Sequence, residues 1–228
     1  MAEAAPPSID ITASDTASRK ERRTIGAQEN HVMTTIETVR RRRRTKPVAA
    51  SGKNPIDAGE LSLCLGPIAR RDATRLVLGS LPGRRSLAMQ QYYAHPRNLF
   101  WKIVEELFGS DSPLPYKRRV RILTAQGIAL WDVLAAAERP GSLDASIVHA
   151  SAHANDFRGF YRAHPGIRRV FFNGRKAEAL YRRLVLPALD GEFPGIRYDC
   201  LPSTSPAHAG MTFAAKLSRW RAIKEEDT

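Results

Sequence analysis

Four short stretches, at 75–78, 128–131, 168–172 and 196–201, stand out as strand candidates where the apolar density rises, each bounded by turn or helix signals. Runs of that length and setting predict buried strands. Between them, apolar positions recur at helical spacing over 98–108, 116–126, 156–163 and 176–186, and a last helical stretch, 213–223, closes the chain. Asn155 or Asp156 stands where the third of these helices needs an N-cap, and Asp156 also suits the positive end of the helix dipole. Gly174 interrupts the chain between the third strand and the fourth helix. Strands alternating with helices imply right-handed crossovers and a mostly parallel sheet covered on both faces. The predicted fold is therefore α/β, a three-layer α/β/α sandwich around a central four-stranded, mainly parallel sheet. No internal repeat is present.

A parallel sheet delivers all of its strand-end loops to one edge. Those loops are 79–98, 132–147, 173–175 and 202–211. The first and the last are the most unusual in composition, which predicts a ligand site between them.

Residues 1–58 are rich in Ala, Ser, Thr, Pro and charge, with little apolar periodicity, and read as a disordered basic tail. The folded domain is expected over 59–228. Apolar residues make up 43% of the chain, enough for a sizeable core. The net charge is +13, and residues 1–60 hold 11 basic against 8 acidic side chains, so residues 61–228 carry +10 of it. The domain is basic in its own right, which points to an anionic partner. Five consecutive arginines at positions 40–44, with Lys46 beyond them, fit either a segment that binds DNA phosphates through counterion release or a solvated tail. The two cysteines, Cys64 and Cys200, form no C-x-x-C pair, which argues against a disulfide framework, a zinc site or an iron–sulfur cluster. No apolar run approaches the ~18 residues of a membrane span. The N-terminus lacks the apolar core of a secretory signal, so the expected location is cytoplasmic and nucleoid-associated.

The first loop opens with Gly79-Ser80-Leu81-Pro82-Gly83. Its glycines permit close backbone approach and Pro82 stiffens the turn, which suits a ligand cradle or a plain structural turn. It is not a P-loop, because the Gly-Lys-Ser/Thr ending is missing. Farther on comes His95-Pro96-Arg97-Asn98-Leu99-Phe100-Trp101. Asn98 either caps the following helix or orients a water molecule for attack, positioning it without acting as a strong base, since an amide has no useful pKa. Tyr92, Tyr93 and Phe100 either stack on a flat ligand or belong to the core. The late loop, Leu201-Pro202-Ser203-Thr204-Ser205-Pro206-Ala207-His208-Ala209-Gly210, is rigid, polar and low in bulk. It suits phosphate contacts with His208 near a leaving group, or a Ser/Pro turn with an exposed histidine. A serine hydrolase does not fit, as no G-x-S-x-G elbow occurs.

The succession GSLPG, SL, QQYYAHPRNLFW and LPSTSPAHA resembles the hypoxanthine-DNA (deoxyinosine) glycosylase branch of the uracil-DNA glycosylase superfamily, over residues 61–223. The resemblance implies a pocket for a flipped-out base lined by Gly79, Ser80, Leu81, Pro82, Gly83, Tyr93 and Phe100. It implies that Asn98 positions the water and His208 supports the leaving base, while Ser203, Thr204, Ser205 and Pro206 grip the DNA strand. Neither metal nor organic cofactor is implied. The expected partner is double-stranded DNA containing a damaged base, or single-stranded DNA, bound by a monomer with no membrane association. Two departures bear on the substrate. The Asp and His of the GQDPYH pattern are absent, Leu81 standing in place of the Asp, which speaks against strong uracil excision. The four cysteines of the iron–sulfur branches are missing as well. The expected reaction is hydrolysis of the N-glycosidic bond of deaminated bases, hypoxanthine first. The alternatives are a uracil or mismatched-thymine glycosylase of the same fold, a non-catalytic DNA-binding module, and an RNA- or nucleotide-processing hydrolase.

Overall fold

Strands β2 (Arg75–Gly79), β3 (Ile128–Asp132), β6 (Arg169–Asn173) and β7 (Arg197–Leu201) form a fully parallel sheet in the order β3-β2-β6-β7. The structure is a computed structural model and describes residues 61–109, 114–141 and 143–225. The expected basic tail, its five-arginine run included, lies outside the described residues. Each sheet strand begins and ends within one or two residues of its predicted stretch. In β2 and β3 nearly every side chain is buried, as a parallel sheet covered on both faces requires. Among the described residues no helix is long and apolar enough to cross a membrane.

The helices are α1 (Arg84–Met89), α2 (Phe100–Phe108), α3 (Tyr116–Ala125), α4 (Phe157–Ala163), α5 (Arg175–Leu184), α6 (Leu186–Leu189) and α7 (Phe213–Trp220). The Asp156 side chain does cap α4, accepting the Gly159 N–H at 2.9 Å. On one face of the sheet, Trp131 and Phe172 pack their rings against Phe157, Phe160 and Tyr181 of α4 and α5. Phe171 points the opposite way, beneath the Arg169 guanidinium, which reaches Glu225 beyond α7. There the rings of Phe100 and Trp101 meet Trp220 of α7 and Tyr116 of α3. The result is the expected three-layer sandwich.

The loop expected over 132–147 is partly strand. After Asp132 the chain passes through Val133 into β4 (Leu134–Glu138), which pairs antiparallel with β1 (Leu61–Leu63) and β5 (His153–Ala154) in a second, three-stranded sheet. The two sheets are continuous through this segment, since Val133 and Leu134 still donate to the carbonyls of Gly79, the last residue of β2, and Ser80 just past it. The outer edge of β3 is covered by an antiparallel bridge between Ile68 and Leu130. Helix α1 is a further departure, because 79–98 is not all loop.

From β2 the chain first adds β3 on one side and later β6 on the other. That reversal opens a crevice at the carboxyl ends of the strands. Asp132, Gly79, Asn173 and Leu201, the four last residues, stand along it.

Candidate active site

A cleft of about 1500 Å³ opens along this edge, lined by the first loop, the end of β3, residues 143–145, the end of β6 and the late loop. Gly79, Ser80, Leu81, Pro82 and Gly83 all line it, as do Tyr93, Asn98, Ser203, Ser205, Pro206 and His208. Sequence motifs separated by about a hundred residues therefore face one cavity.

A hidden polar frame fixes the first loop. Arg139, 1% exposed, donates to the Leu81 carbonyl at 3.2 Å and to that of Pro82. Its guanidinium also lies 3.8 Å from Asp144 Oδ1, which accepts the Ser80 hydroxyl at 2.7 Å. Because the Pro82–Gly83 peptide is trans, holding its carbonyl on Arg139 turns the Gly83 N–H the opposite way. Gly79 has a separate constraint: a Cβ there would overlap the carboxylate of Asp132 and come to 3.0 Å of the Tyr93 hydroxyl. Only a bare backbone leaves room for both groups at the floor of the cleft.

Asp132 is buried, and among the described residues its Oδ2 has no hydrogen-bond partner. Burial pushes its pKa up to about 8, with the Asp144 charge adding to the rise and Arg139 opposing it. Asp144 is raised as well, burial outweighing the Ser80 hydrogen bond and Arg139. Tyr93 sits in left-handed backbone at φ 54°, uncommon for an aromatic residue. Burial, then Asp132, holds its hydroxyl well above the usual range.

Asn98 lies on the cleft wall. Its Oδ1 accepts the Phe100 N–H at 3.0 Å, so it caps α2 and faces the cavity together. A carbonyl oxygen carries two lone pairs, and the cap uses one.

The late loop is held from three sides. Lys216 of α7, 2% exposed, donates from Nζ to the carbonyls of Ser203 at 2.8 Å and His208 at 2.7 Å. Burial lowers the Lys216 pKa. Trp220 Nε1 donates to the Pro202 carbonyl at 2.9 Å. Asn173 clamps Thr204 twice, accepting its N–H at 2.8 Å and donating to its hydroxyl at 2.8 Å. Gly174, at φ 98°, lets Ser203 pack against the end of β6, where an added Cβ would lie 2.8 Å from Ser203 Cβ. Finally, the Leu99 N–H donates to the Thr204 carbonyl at 3.0 Å, tying the Asn98 segment to the late loop.

Two expected site residues are corrected by this geometry. Thr204, expected among the DNA contacts, stands in the cleft lining but is fully buried, with its hydroxyl accepting from Asn173. Phe100, expected in the base pocket, is fully buried and outside the lining, with its ring 4.3 Å behind that of Tyr93. Tyr92 is likewise a core residue, its hydroxyl donating to the carbonyl region of Leu65 and Gly66. The sequence reading missed Asp132, Arg139, Asp144, Asn173 and Lys216. For Asp132 and Asn173 a signal existed, since each is the polar residue that ends an apolar strand run.

The model of the uracil DNA glycosylase superfamily matches residues 67–224, more than half of the chain. The chain belongs to this superfamily. Two similar proteins are named hypoxanthine DNA glycosylase. The one from Methanosarcina acetivorans is 36% identical over 149 residues, 65% of this chain and 88% of the relative. The one from Methanosarcina barkeri is 36% identical over 112 residues, 49% of this chain and 70% of the relative. Among solved structures, the solution NMR structure of a candidate uracil DNA glycosylase from Methanosarcina acetivorans superposes with a TM-score of 0.59 at 31% identity, covering 73% of this chain and all of that one. Within the superfamily fold, the cleft described above is the place where the strand-end loops converge.

Proposed function

We propose that this superfamily member is a monofunctional DNA glycosylase that hydrolyses the N-glycosidic bond of deaminated bases, hypoxanthine in deoxyinosine foremost, in base excision repair. The observation that carries the reading is the Leu99–Thr204 hydrogen bond, which places Asn98 and the Ser203–Ser205 segment on one cleft. Its two similar proteins named hypoxanthine DNA glycosylase favour the same substrate class.

A deaminated base pairs poorly, so extruding it costs less than extruding a normal one. The cleft receives the flipped base against the backbone of Gly79, Ser80 and Gly83. Ser203, Ser205 and Pro206 meet the DNA backbone at the rim, with Arg84, Arg97, Arg175, Lys176 and Arg219 supplying positive charge around it. As the glycosidic bond breaks, positive charge grows on the sugar and negative charge on the base. Asn98 presents water to the sugar C1′, and His208 supports the strand near the leaving base. The working unit is a monomer acting on damaged duplex DNA in the cytoplasm, with residues 59–228 as the catalytic domain and residues 1–58 as its basic tail.

The test is single-turnover excision on duplexes carrying one hypoxanthine, xanthine, uracil or G·T mismatch. Hypoxanthine is expected to be released fastest. Faster release of uracil or thymine would assign the enzyme to the other specificity, and absence of abasic sites on every duplex would leave a DNA-binding module.

A further inference from the structure

Asp132 is a buried acid at the floor of the cleft with an oxygen that meets no donor. It is 2% exposed, it lies over the Gly79 backbone beside the Tyr93 hydroxyl, and its Oδ2 has no partner among the described residues. Resting on the glycosylase reading, we propose that Asp132, which lines the cleft, enters the reaction as a neutral carboxylic acid whose carboxyl O–H donates a hydrogen bond to the departing base.

A buried carboxylate requires a cation or several donors, and without them it takes up a proton. The groups around Asp132 supply neither. Among the described residues Arg139 is the cation that acts on it, and that guanidinium is committed to the carbonyls of Leu81 and Pro82 and faces Asp144. Asp144 adds a like charge from the 3-10 turn that follows β4. Tyr92 and Tyr93 face it from the loop after α1, and Cys64, beyond β1, has its thiol pushed up to about 12. None of these three brings positive charge. Asn155 binds the Asp132 main-chain carbonyl and leaves the carboxyl alone. The resulting rise to about 8 keeps most of the acid protonated at neutral pH.

The chemistry places that proton where it is needed. When the C1′–N bond breaks, its electron pair passes to the base, whose ring nitrogens and carbonyl oxygens become stronger acceptors. Water forms the new C1′–O bond and loses a proton to solvent, and the base takes up one proton from solvent on release. Asp132 keeps its own proton throughout and lowers the barrier as a donor fixed where charge appears. Ionised, the same group would face the growing negative charge with a negative oxygen.

The experiment is the single-turnover rate on a deoxyinosine duplex, at saturating enzyme, from about pH 6 to about pH 9.5. The wild-type rate is expected to fall as pH rises through about 8, because the protonated form is the active one. Asp132→Asn keeps a donor but cannot titrate. It is expected to stay within about tenfold of wild type at pH 7 and to lose the alkaline fall, whereas Asp132→Leu loses about 10²-fold at pH 7. Circular dichroism checks folding, and should the leucine variant not fold, the asparagine profile alone carries the test. A wild-type rate that is level or rising above pH 7, or an alkaline fall retained in Asp132→Asn, overturns the proposal while leaving the glycosylase reading in place. No excision at any pH overturns both.

Discussion

Asn98 Oδ1 holds the first free N–H of α2, so truncating this side chain removes a helix cap along with whatever the amide does in the cleft. Asn98→Ala is expected to lose about 1 kcal/mol of stability from the cap. It is also expected to lose at least about 10²-fold in single-turnover excision, ~2.7 kcal/mol of transition-state stabilisation. Asn98→Ser separates the two effects, because a serine hydroxyl still caps a helix but cannot reach water as the amide does. Thermal melts of the serine variant near wild type, with excision still depressed, are the expected pair of results. Wild-type excision by either folded variant would leave Asn98 as a cap alone. Asp132 and Gly79 form a second unit at this scale, since the missing Cβ of one is the space taken by the carboxyl of the other.

Helix α7 closes the fold and also sets the late loop, through two side chains one turn apart, Lys216 and Trp220. Lys216→Met keeps the length and apolar bulk of the stem and removes the charged donor, leaving the Ser203 and His208 carbonyls without it. Hydrogen bonds from a charged group are each worth about 1.5–3 kcal/mol. The variant is expected to melt several degrees lower and to bind a damaged duplex more weakly in a titration, and unchanged binding would show that the loop keeps its shape without the lysine. This control by a distant helix was not legible in the sequence. The four sheet strands were: β2, β3 and β6 are largely buried apolar runs, and the edge strand β7, Arg-Tyr-Asp-Cys-Leu, buried only at Leu201, was marked by the turn signals around it. The small sheet was not: β1 has three residues, and Leu-Ala-Ala-Ala-Glu in β4 carries no β-branched side chain. The motifs located the cleft, but membership in a motif does not say which side chain faces outward, which is how Thr204 and Phe100 were misassigned. Arg139, Asp144 and Lys216 act through contacts distant in sequence, and no local pattern marks such partners.

At the scale of the whole molecule, charge governs the encounter with DNA. Residues 61–228 carry +10, and six cationic side chains from separate loops and helices, Arg84, Arg85, Arg97, Arg175, Lys176 and Arg219, stand around the cleft. Such a rim attracts DNA of any sequence and leaves recognition to the cavity. The arginines at 40–44 raise the question of whether residues 1–58 add to that attraction. Each phosphate neutralised by a cation contributes about −0.9 to the slope of log K against log salt on duplex DNA. If all five arginines contact phosphate, deleting residues 1–46 should make that slope shallower by roughly 4–5, by the same relation. The rate at saturating enzyme should not change, because that chemistry depends on the cleft and its two loops. Fluorescence anisotropy across a salt series measures the slope, and single-turnover excision on the same duplex measures the chemistry. A slope unaltered by the deletion would mean that the arginine run is solvated tail, and that the folded domain's own charge supplies the electrostatic part of binding.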